Sequence, residues 1–107
     1  MDVIRLEQLD KQAAAQIAAL FAVPLTAAPY RVGGEPVYRL ALPFAEPIEM
    51  VLWPPLRRVD VRVGPCALVF KSIDTIELYP GVEVLFRRRD PPGHLFVSVN
   101  GRVEMAI

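Results

Sequence analysis

The sequence predicts an α+β domain. One N-terminal helix packs on a curved, mostly antiparallel sheet, or on a partly open β-barrel, of seven or eight short strands. Three observations predict it. Helical periodicity is confined to the residues before Pro24. Beyond Pro24, β-branched and aromatic runs alternate with turn residues about every ten positions, the pattern of an antiparallel β structure. The eleven prolines fall mostly at the ends of these runs, as ladders that cannot accept an interior proline require.

The helix is expected from about Glu7 to Ala22. Leu6, Leu9, Ala13, Ile17, Leu20 and Phe21 recur at spacings of three or four, with Gln8, Gln12 and Gln16 on another face. The alanine-rich middle favours helix, and Pro24 stops it. Two starts fit the N-terminal end. Either the helix begins near Leu6, or Asp10 caps a shorter helix and "VIRL" is an extended arm.

The strand candidates follow in order. "TAAPYRV" runs to Gly33-Gly34, then "PVYRLAL" to "PFAEP", and "IEMVLW" to Pro54-Pro55. "RRVDVRV" runs to Gly64-Pro65, followed by "CALVFK", "IDTIELY" and the Pro80-Gly81 turn. "VEVLFRR" leads into "RDPPG", and "HLFVSV" is joined to "RVEMA" by Asn100-Gly101. The clearest alternation puts Val59, Val61 and Val63 on one face and Arg58, Asp60 and Arg62 on the other. A bulge near Ser72 would bring Phe70 into phase with Ile73, Ile76 and Leu78. No strand–helix–strand alternation follows Pro24, which argues against a parallel sheet.

The 107 residues make one domain, 1–107, able to bury roughly two-thirds of the surface of its unfolded chain. At 53% hydrophobic and 22% charged, the apolar load is high for so small a body, and burial against a second copy is the simplest outlet. Twelve basic residues balance twelve acidic ones, which weighs against nucleic acid as a partner because such binders carry excess positive charge. No apolar run is long enough to span a bilayer. "AAAQIAALFAVPLTAAP" lacks the positive leader of a signal segment, so the chain reads as cytoplasmic.

Catalytic and metal chemistry find little support, and no cofactor is implied. Cys66 is the sole cysteine and His94 the sole histidine, too few for a structural zinc site. Cys66 reads as a small buried residue opening an apolar run, and His94 as a half-exposed residue at a strand start. A tight Pro80-Gly81 turn would set Asp74 opposite Arg87 and place Glu77 and Glu83 on opposite faces, so that the acids do not converge. "RVGGEP" has adjacent glycines but neither the lysine nor the following helix of a phosphate loop.

Five residues stand out as interface or ligand candidates. Trp53 sits at a strand end beside two prolines, either a core plug or a rigid interface anchor. Arg58 and Arg62 lie on the wet face of "RRVDVRV". His94 follows Pro-Pro-Gly. In "VEVLFRR", Arg88 shares a face with Val84 and Phe86, so on a core face it must reach the rim or meet an acid; Arg89 enters the loop. The expected role is a non-catalytic interaction or assembly module, a homodimer or a subunit docking on a larger partner. The alternative is a binder of a small apolar ligand between sheet and helix, with Arg88 or His94 as its polar contact.

Overall fold

The computed structural model describes residues 2–5, 10–44, 46–79, 83–98 and 100–106, the side chains of Asp2 and Tyr30 excepted. It is a mostly antiparallel α+β arrangement with one α-helix among the described residues. The strands run as β1 (Asp2–Arg5), β2 (Thr26–Val32), β3 (Glu35–Leu42), β4 (Ile48–Trp53) and β5 (Arg58–Val63). They continue as β6 (Cys66–Lys71), β7 (Thr75–Tyr79), β8 (Glu83–Arg89), β9 (Pro92–Ser98) and β10 (Val103–Ala106). Helix α1 (Lys11–Leu20) follows β1, and a 3-10 turn (Pro54–Leu56) follows β4.

Two expectations are corrected here. The strands number ten among the described residues, not seven or eight. They form two open five-stranded sheets, ordered β1-β7-β8-β9-β10 and β2-β3-β4-β5-β6, and not one curved sheet or barrel. Both differences have a physical origin. Strand β10 corresponds to "RVEMA", already among the strand candidates, whereas β1 falls in the segment read only as an optional extended arm, because its four residues are too few to show a period of two. The break between sheets lies at Ser72, where the chain turns with φ at 64° and leaves β6 for β7. The irregularity at Ser72 is thus a change of sheet, and no bulge within a strand is needed.

Each sheet is built from neighbours in sequence. Strands β2 to β6 form one meander, and β7 to β10 form a second, with β1 added antiparallel to β7. The β2–β3 hairpin turns on Gly33-Gly34, with φ at 57° and 83°, the left-handed pair that a two-residue hairpin of right-handed twist demands. The helix takes the shorter of the two starts. Asp10 caps it, its Oδ1 accepting from the Ala13 N–H at 2.9 Å, and "VIR" belongs to β1. Leu6 and Leu9 lie outside the described residues.

The inward faces of both sheets and one side of α1 share a single core. Val59, Val61 and Phe70 come from the β2–β6 sheet, Ile76, Val84, Phe86, Leu95 and Val97 from the other. Ala13, Ala14, Ile17 and Ala18 supply the helix side. The alternation of "RRVDVRV" is as expected, with Val59 and Val61 fully buried. Among the described residues no helix is long and apolar enough to cross a membrane.

Candidate functional site

The outer face of the β2–β6 sheet collects three of the five candidates. The β4–β5 register sets Trp53 opposite Arg58, Val51 opposite Asp60 and Glu49 opposite Arg62. Since side chains alternate faces, all six stand away from the core that takes Met50, Leu52, Val59 and Val61. The Arg58 guanidinium lies 5.2 Å from the Trp53 ring centroid, within cation–π range. It also grips Asp60 with two hydrogen bonds of 2.6 and 2.7 Å. Those bonds raise the Arg58 pKa further; burial opposes them and the Asp60 charge adds to them. Arg39 pairs with Glu49 at 2.8 Å across β3 and β4. Arg62 forms no ion pair with a described residue, and with Trp53, Val51 and Ala67 it lines a shallow depression of about 230 Å³.

This face is less wet than its charges imply. Val51 is buried and Val37 fully so, although neither belongs to the central core. The face ends at β6, an edge strand. There Ala67 and Val69 are exposed beside Arg62 and Asp60, their cross-strand partners. Cys66 corrects an expectation: it is exposed, because an edge strand has a neighbour on one side only. Of the four large apolar side chains most exposed among the described residues, Val3, Val69 and Met105 all lie on edge strands; Leu56 lies in the 3-10 turn.

Arg88 and His94 lie elsewhere. Arg88 does share the inner face with Val84 and Phe86, and it reaches the rim. Its guanidinium sits 4.6 Å from the Phe70 ring centroid on β6 and donates to the Lys71 carbonyl at 3.2 Å. It joins the two sheets through an aromatic face and a carbonyl, and no described acid pairs with it. His94 is half-buried on the outer face of the β7–β10 meander, edge-on to Phe96 at 4.9 Å. Cys66 and His94 stand on different sheets, so the geometry offers no thiol–imidazole pair.

The β7–β8 hairpin differs from expectation by one residue. Thr75, not Asp74, faces Arg87, and Tyr79 faces Glu83. A one-residue slip moves side chains to the other face. Glu77 and Glu83 therefore share the outer face, contrary to the expected divergence. The sequence signal was ambiguous because the register depends on the connection at residues 80–82, which lies outside the described residues. Glu77 is nonetheless fully engaged, accepting from Arg87 Nε at 2.6 Å and from the Tyr79 hydroxyl at 2.7 Å. Burial alone would push its carboxyl up; the bonds from Arg87 and Tyr79 together outweigh that and hold it below the ordinary glutamate range. Tyr79 is raised in turn, first by its bond to Glu77 and then by burial.

Sequence reasoning did not single out a second cluster, at the end of the β1–β7–β8 ladder. Arg57, left-handed at φ 49°, donates to the Ile73 carbonyl at 2.9 Å and to Asp74 Oδ1 at 2.6 Å. The other Asp74 oxygen accepts from the Arg89 backbone N–H at 2.8 Å. Arg89 belongs to β8 and not to the loop, since the hairpin turns on Asp90-Pro91, a cis peptide, with Arg89 paired to Pro92.

Comparison with protein-family models, with curated proteins and with solved structures found no significant match to this chain.

Proposed function

We propose that the protein is a non-catalytic interaction module that pairs with a second copy of itself along β6 and the adjoining outer face. The observation that carries this reading is the character of the β6 edge. Its six residues, "CALVFK", contain no proline and a charge only at the end, at Lys71, whose carbonyl Arg88 occupies, and its pairing with β5 is regular throughout. Cys66, Ala67 and Val69 are exposed along it. Soluble proteins usually blunt such an edge with proline, charge or a bulge. The opposite edge of the same sheet is blunted in this way: β2 contains Pro29, and its register with β3 shifts between Ala27 and Arg31. An antiparallel β6–β6 contact would pair the open backbone groups and cover Val69, extending the face that carries Trp53, Arg58 and Arg62.

The apolar-ligand reading has less support. The space between the sheets and α1 holds Phe70, Phe86, Ile17, Leu40, Met50 and Leu52, all fully buried, and the site described above is a surface. Light scattering coupled to size exclusion tests the proposal. The wild type is expected to elute as a dimer, and Val69→Lys as a monomer that still unfolds cooperatively, its melting temperature lower by no more than the lost dimer linkage. A wild type that stays monomeric at high concentration would sink self-association through this edge.

A further inference from the structure

The end of the β1–β7–β8 ladder carries a surplus of guanidinium donors, and we infer that it is a binding site for a phosphate group. The ladder sets Arg5, Thr75 and Arg87 side by side on three adjacent strands. At about 4.8 Å per strand, Arg5 and Arg87 are anchored about 10 Å apart with the Thr75 side chain between them. Arg89 stands two residues further along β8, on the same face as Arg87. With Asp74, these four residues line a depression of about 210 Å³. That is below the roughly 300 Å³ of sites that enclose a drug-sized ligand, and suits a small group.

The donor and acceptor inventory decides the class of ligand. Among the described acids, Asp74 lines the depression and Glu77 stands next to it on the Arg87 side, and each of their four oxygens already accepts a hydrogen bond. Asp74 is held by Arg57 at 2.6 Å and by the Arg89 backbone at 2.8 Å, while Glu77 is held by Arg87 Nε at 2.6 Å and Tyr79 at 2.7 Å. Asp90 lines the neighbouring depression, on the Arg57 side. Arg87 is thereby fixed in place while most of its N–H groups stay available. The Arg89 side chain is 87% exposed and approaches Asp74 only at 3.9 Å. Arg5, which is exposed, makes no hydrogen bond or ion pair among the described residues. A carboxylate has two oxygens and is satisfied by one guanidinium fork; three guanidinium groups lining one depression beside a hydroxyl offer enough donors for a tetrahedral oxyanion with three free oxygens. The phosphate is free in solution or is the headgroup of a lipid, and the same three arginines would hold either.

Pyrophosphate titrated into the 15N-labelled protein at low salt is the first arm. Vesicles containing phosphatidic acid are the second. Amide shifts are expected to cluster at Arg5, Thr75, Arg87 and Arg89. Arg5→Gln and Arg89→Gln should each weaken binding about tenfold or more, the worth of a charge-assisted hydrogen bond. Arg102→Gln removes the same charge from a residue on the far side of the sheet order, next to β10, and should leave affinity within about twofold of wild type. Binding of vesicles without binding of pyrophosphate, lost in the same two variants, identifies the headgroup as the source. Thermal melts confirm that each variant is folded. Absence of binding in both arms overturns the inference. So does equal weakening by Arg102→Gln, which would mean that only net charge is felt.

Discussion

Gly93 shows how one missing side chain positions another. It pairs with Arg88 across β8 and β9, and a Cβ added there would lie 2.9 Å from the Ala106 carbonyl oxygen and 3.1 Å from Arg88 Nε. The first contact is with backbone and cannot move aside cheaply. The glycine leaves the groove in which the Arg88 side chain lies on its way to Phe70. Its φ is not positive, so the requirement is for space and not for conformational freedom. Gly93→Ala is expected to destabilise the fold by about 1–3 kcal/mol, the range for overpacking a close contact. Urea denaturation checks this, and an unchanged midpoint would show that β10 yields to the added methyl.

At the scale of elements, the β7–β8 hairpin is tied by the row Tyr79–Glu77–Arg87 on its outer face. The linkage has a definite sign. Because the folded Glu77 pKa is depressed, its contribution to stability is fully present above the ordinary glutamate range. It is lost as pH falls through the lower, folded value. Glu77→Gln should therefore be less stable than wild type at neutral pH, and the gap should narrow in acid below the ordinary glutamate range. Denaturant midpoints across that window measure it, and a constant gap would exclude the carboxylate as the cause. Arg87 is half exposed, which keeps the magnitude small. The helix is the element most legible in the sequence. The alanine run, the Asp10 cap and Pro24 all act within a few residues of chain. The strand registers were less legible, because the Glu77 side is fixed by a one-residue difference in loop length.

For the whole molecule, the question is what holds two open sheets together at the rim of their shared core. Arg88 is one such tie, reaching from β8 of one sheet to Phe70 and Lys71 of the other. Arg88→Ala is expected to cost about 1–3 kcal/mol through the lost cation–π contact, carbonyl bond and packed stem. Arg88→Lys should recover only part of this, because an ammonium keeps the charge but not the planar stacking surface. Thermal unfolding of the two variants separates these outcomes. Equal stability of Lys and wild type would reduce Arg88 to a point charge.

By itself, the sequence determined what depends on neighbours along the chain. That includes the helix and its end, the hairpin at Gly33-Gly34, the two faces of "RRVDVRV", and the placement of Arg88 on an inward face. Each follows from side-chain period or backbone sterics within a single segment. Only the tertiary structure decided where the chain changes sheets, which strands are edges, and hence that Cys66 and Val69 are exposed. It alone gathered Arg5, Arg87 and Arg89, from positions more than eighty residues apart at the extremes, around one depression. The reason is that a strand pattern specifies which side chains share a face, while strand order and register are set by pairing energies between segments distant in sequence.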